Sequence, residues 1–131
     1  MAQARRVPRP PAPSPALVCA VAWAWPGAGH LLLGRRSTGL ILLAALPLMF
    51  VIGLSLEGRL FPFDPGQRLV LLMALADLGI GMPYLAAAAL GLGEGRVVAP
   101  TYEYGNTFLL VAGLLNLLVV LDAGDIARGR K

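Results

Sequence analysis

Four long stretches of this chain carry almost no charge, and they dictate what it can fold into. Pro10 to Gly34, Ser37 to Leu56 and Tyr104 to Leu121 contain no Asp, Glu, Lys or Arg, and Leu69 to Gly93 contains only Asp77. A helix needs about 20 apolar residues to cross the hydrocarbon core of a bilayer. A water-soluble domain instead needs polar side chains to cover its surface, with roughly 25% of its residues charged. Here 14% are charged and 57% hydrophobic. The four stretches fill most of the chain and leave no length for a soluble domain. The expectation is an all-α, polytopic transmembrane helical bundle of about four spans, at residues 16–33, 38–56, 68–92 and 107–121, the last with room to extend through Asp122 to Ile126. A Pro/Arg-rich tail (1–15) precedes the helical domain (16–126), and a basic tail (127–131) follows it.

Turn residues punctuate this plan. Pro8, Pro10, Pro11, Pro13 and Pro15 keep the N-terminal segment out of a helix, because proline lacks a backbone donor. Pro26, Gly27 and Gly29 predict a break near the far end of the first span. Gly34 to Ser37 is a very short turn, and Pro47 predicts a kink in the second span. Gly58, Pro62, Pro65 and Gly66 mark Glu57 to Gln67 as a loop. A second loop is expected from Gly93 to Asn106, with Tyr102-Glu103-Tyr104 suited to a membrane–water interface. No repeat of solenoid period is visible.

The net charge is +4 and the pI is near 10.0. Nucleic acid is not the expected partner, because the basic residues sit at the edges of apolar segments, where membrane proteins place them. With four spans, Arg5, Arg6, Arg9, Arg59, Arg68, Arg128, Arg130 and Lys131 share one side, against Arg35, Arg36 and Arg96 on the other. That bias puts both termini in the cytoplasm, with the pair Arg35-Arg36 dissenting. A re-entrant first segment would return that pair to the cytoplasm but leave the C-terminus, with its three basic residues, facing outward. The single cysteine, Cys19, excludes an internal disulfide. Arg5 and Arg6 ahead of an apolar run resemble the start of a secretory leader, but the run continues past Ala22-Trp23-Ala24 to Leu33, so the segment is read as a retained span.

The most distinctive string is Pro26-Gly27-Ala28-Gly29-His30, followed by Gly34-Arg35-Arg36 and Gly39. Glycines let backbones approach closely in a membrane, and a turn at membrane depth needs its backbone buried in protein. Gly29 and Gly34 are therefore expected to be packing residues. His30 is read as a side chain that fixes the tight hairpin rather than as a metal ligand or proton carrier, since a lone histidine has no ligand set. The string PGAGHLLLGRRSTGL resembles the signature of the two-transmembrane-helix domain family over Pro26 to about Leu43, and departs from it at Leu32, where an aromatic residue is usual. The string TYEYGNTFLLVAGLLNLLVVLDA looks like that of a bacterial family of small integral membrane proteins of unknown function. Together the resemblances imply a bacterial inner-membrane protein and no particular activity.

Asp77 is the sharpest single residue. A carboxylate within a span costs about 2.5–3.5 kcal/mol on insertion scales, and must be compensated. Asn116 is the expected partner. Arg68 and Asp122 are expected at the same membrane face, and at about 1.5 Å per residue Asp77 and Asn116 lie about 13 and 9 Å from it, a similar depth. Tyr84, seven residues after Asp77, would share its helical stripe. Asp122 and Asp125 sit three apart and are expected to pair with Arg128 or to face solvent.

No nucleophile elbow, phosphate-cradling loop or zinc pattern occurs, and no catalytic residue, cofactor or metal is expected. The leading expectation is a non-enzymatic component that packs against membrane lipid and other helices, of its own kind or another. The alternative is a small transporter or proton-conducting subunit using Asp77. An enzyme using His30 with Asp122 or Asp125 is the weakest expectation.

Overall fold

The computed structural model describes residues 13–130, so most of the expected N-terminal tail and Lys131 lie outside the described residues. Among those residues the structure is all-helical, in the order α1 (Pro15–Ala24), α2 (Ala28–Leu32), α3 (Arg36–Ser55), α4 (Arg68–Leu78), α5 (Met82–Ala89) and α6 (Tyr102–Ala127). Two of these, α3 and α6, are long and apolar enough to cross a membrane. A third crossing exists only if α4 and α5 count as one span. α3 has 20 residues and α1 has 10. With a rise of about 1.5 Å per residue, α3 reaches about 30 Å and α1 about half as far.

The expected first span is thus divided. Ser14 accepts a hydrogen bond from the Leu17 N–H, and Pro15 occupies the first turn, where a missing donor is harmless. The residue before a proline is pushed out of helical geometry. Pro26 does this to Trp25, which is extended (φ −143°, ψ 128°), and the helix stops at Ala24. Gly27 then takes φ +84°, and a Cβ there would run into the Gly39 carbonyl oxygen. That left-handed conformation would strain other residues. The chain folds back. Gly29 rests against Ala22, and α2 turns back along α1, so that Leu33 packs in the cluster that holds Val18.

The expected third span is also broken. Gly79, Gly81 and Pro83 interrupt it, and the axes of α4 and α5 diverge by 109°. Gly81 has φ +85° and ψ −128°, a region that favours glycine. After α5 the chain rejoins the loop from which α4 departed, where the Leu60 N–H donates to the Gly93 carbonyl (2.8 Å) and the Arg96 N–H to that of Glu57 (3.2 Å).

The last helix starts earlier than expected, and at its far end it takes the extension through Ile126 that the sequence allows. Tyr102-Glu103-Tyr104 form its first turn rather than a loop, with Glu103 placed favourably for the helix dipole. Its C-terminal end also takes in Asp122 and Asp125. α3 and α6 lie antiparallel. Gly53 and Gly58 meet Gly105 at one end of the bundle, while Thr38 and Asp122 come together at the other. Between them Leu46, Phe50, Leu109 and Ala112 form the main core with Ile80 and Ala87. Val18 and Ala22 of α1 pack on Ala123 in a second cluster.

Close backbone approach joins α4 to α6. A Cβ on Gly113 would collide with the Ala76 carbonyl oxygen. Gly113→Leu should therefore abolish or sharply lower the folded yield. Gly34 differs from expectation: it packs against nothing and serves the turn through its φ of +80°. Gly34→Asn should leave the thermal midpoint in detergent nearly unchanged, since asparagine tolerates this conformation. Equal loss from both substitutions would contradict this assignment of roles.

Candidate functional site

Ending a helix inside an apolar bundle leaves backbone groups without partners. The last four carbonyls of α1 and of α4 have no donor within their own helices, and away from water each such group costs several kcal/mol. Two side chains meet this need. The Asn116 Nδ2 carries two hydrogens and donates to the Gly79 carbonyl at 2.7 Å and the Trp23 carbonyl at 3.3 Å. The Trp23 indole Nε1 donates to the Leu78 carbonyl at 3.1 Å. The tip of the α1–α2 hairpin and the break between α4 and α5 are thereby tied to each other and to α6. A Cβ at Gly81 would strike the Trp23 carbonyl oxygen, so the two tips touch directly.

Asp77 is fully buried. The expected hydrogen bond to Asn116 is not the one formed. Asp77 Oδ2 accepts from the Phe61 N–H at 3.0 Å, which anchors the Glu57–Gln67 loop above it. The two residues do lie close in depth, because α4 and α6 meet at Ala76 and Gly113. Their partners differ because the amide hydrogens of Asn116 go to carbonyls that the helix breaks expose. Tyr84 loses the helical stripe it was expected to share with Asp77, since the break intervenes. It instead faces a groove of about 400 Å³ with Arg59, Leu60, Phe61 and Pro62.

His30 is 1% exposed, and its Nε2 donates to Asp122 Oδ2 at 2.8 Å. This bond fastens the returning α2 to α6. Pro26, also buried, ends α1, while Gly39 lies beneath the Leu31 side chain. Asp125 pairs with Arg130 at 3.5 Å rather than with Arg128. Among the described residues, His30 Nδ1, Asp77 Oδ1 and Asn116 Oδ1 are buried without a protein partner. Among the same residues no cluster of three or more His, Cys, Asp or Glu side chains could hold a metal ion.

Three contributors were not singled out in the sequence. Trp23 could have been, because an indole N–H in an apolar segment needs an acceptor. Asn106, whose Oδ1 accepts from the Arg59 N–H at 2.7 Å, and Thr101, whose hydroxyl donates to the Leu56 carbonyl at 2.7 Å, gave no signal beyond being polar.

These features define an all-helical protein with helices of membrane-crossing length, braced internally by a few polar side chains. The chain belongs to a family of unknown function, DUF6677, which matches residues 17–131. No curated protein and no solved structure matches it. Family membership therefore brings no activity, substrate or partner.

Two substitutions check the site. Asn116→Leu should lower stability by about 1 kcal/mol, in the range of hydrogen bonds in membrane proteins. Asn116→Asp should be no better tolerated, because a carboxylate cannot donate to two carbonyls. Chemical unfolding in mixed micelles measures both, and a stable Asn116→Asp variant would show that the two donations are not needed. His30→Leu and Asp122→Leu should be non-additive by at least roughly 0.5 kcal/mol.

Proposed function

We propose that this chain is a non-enzymatic helix-packing component of a bacterial inner membrane, with lipid and other membrane helices as its partners. The observation that carries this reading is the employment of the buried polar side chains. Asn116, Asp77 and His30 each hold a loop, a helix end or a returning helix in place. In this reading α3 and α6 span the bilayer. The α1–α2 and α4–α5 hairpins enter from opposite faces and turn back at the depth of Asn116. Backbone that leaves the helix at such depth is tolerated only when protein buries it or water reaches it, and here protein does so.

This topology also accounts for the dissenting arginines. Arg35, Arg36, Arg128 and Arg130 fall at one end of the bundle, to which Arg5, Arg6, Arg9 and Lys131 are adjacent in sequence. Arg59, Arg68 and Arg96 fall at the other. The basic bias again favours cytoplasmic termini, now with Arg35-Arg36 on the cytoplasmic side.

A proton-conducting subunit is the second reading. One specific observation favours it: Asp77 Oδ1 is buried without a partner, beneath the loop that borders the Tyr84 groove.

The topology is tested by cysteine labelling in a Cys19→Ala background. In intact cells an impermeant maleimide should modify Asp64→Cys and spare Ser37→Cys. Four spans with cytoplasmic termini require the opposite pattern, which would end the two-hairpin topology with cytoplasmic termini. For the second reading, Asp77→Asn should fold, since its amide oxygen still accepts from Phe61. Liposomes bearing it should pass protons no differently from those bearing the native chain. Native flux that the substitution abolishes would overturn the packing role in favour of conduction.

A further inference from the structure

Between α3 and α6 lies a groove of about 320 Å³. Leu42, Leu46 and Leu115 line its length, and His30, Thr38 and Asp122 stand at one end. The polar end coincides with the start of α3. Thr38 is three residues, about one turn, beyond Arg35, and the Arg35 N–H donates to the His30 carbonyl at 2.9 Å. Arg35, Arg36 and Thr38 are all exposed there. Asp122, the acid in the lining, engages His30.

The groove thus joins an apolar trough to an end lined by the Thr38 hydroxyl and the His30–Asp122 pair, with the exposed Arg35 and Arg36 next to it in the chain. Thr38 and Leu46 are eight residues apart on one helix, so the trough extends about 12 Å inward from its polar end. We propose that this groove holds one acyl chain of a phospholipid, with the phosphate of its head on Arg35, Arg36 and the Thr38 hydroxyl. Guanidinium groups match phosphate oxygens in charge and geometry, and leucine side chains match the tail. The inference rests on the membrane placement proposed above, and it adds a defined lipid site to that reading.

Native mass spectrometry of the full chain in mild detergent tests it, with dioleoylphosphatidylglycerol and dioleoylglycerol as probes. These share tails and differ in the phosphate-bearing head. The phospholipid should be retained one per chain, and the diacylglycerol should be lost. Removing both charges, Arg35→Ala with Arg36→Ala, should weaken retention roughly tenfold or more, as expected for two basic groups near a lipid head. Leu115→Trp, at a half-open position on α6, should block the trough and weaken retention as well. Arg68→Ala with Arg96→Ala removes equal charge from the opposite end of the bundle and should change nothing. Equal retention of the two probes would overturn the proposal, as would equal loss from both arginine pairs. The arginine variants alter exposed side chains only, and a thermal melt of each confirms the fold. Cysteine labelling reads the spans independently, so a failed lipid site and a failed topology are distinguishable.

Discussion

Two backbone carbonyls held by one amide nitrogen are the constraint on which this structure depends. Breaking a helix in an apolar interior exposes carbonyls that nothing in the same helix can satisfy. This chain breaks two helices, at Trp25–Gly27 and at Gly79–Gly81, and brings both breaks to one point on α6. Asparagine suits that point because its nitrogen offers two hydrogens. The glycines around it are the steric counterpart. Gly81 lets the Trp23 carbonyl approach, and Gly113 admits that of Ala76.

The remaining polar contacts extend the same logic outward. Asp77 accepts from a loop N–H on one side of Asn116, and His30 ties α2 to α6 on the other. α6 is common to most of these contacts, and it packs against α1, α3 and α4. Among the described residues, this long central helix, with polar side chains at chosen levels, is what receives the irregular backbone.

The sequence was legible where a local signal sufficed. Pro26 with Gly27 marks one break, and the apolar stretches mark the helical class. That Asp77 and Asn116 lie at similar levels was reached by counting both from one membrane face, whereas Arg68 and Asp122 stand at opposite ends of the bundle, and the chemistry of the pair was misread as well. Counting residues locates a side chain along the membrane normal, but a hydrogen bond depends on which acceptors lie across the interface. Those acceptors are carbonyls exposed by breaks elsewhere in the chain. The same reason hid Trp23, and it made His30 look solitary although Asp122 lies 92 positions away.

By itself the sequence determined the solvent this protein is suited to, since apolar stretches of such length cannot be covered in water. It also determined where helices are weak, because glycine and proline act on the backbone locally. Whether a weak point becomes a kink within a span or a reversal of the chain was decided only in the tertiary structure. A proline or glycine removes a hydrogen bond or a steric barrier but sets no direction. Direction comes from what receives the freed carbonyls, and for α1 and α4 that receiver is Asn116, with Trp23 beside it.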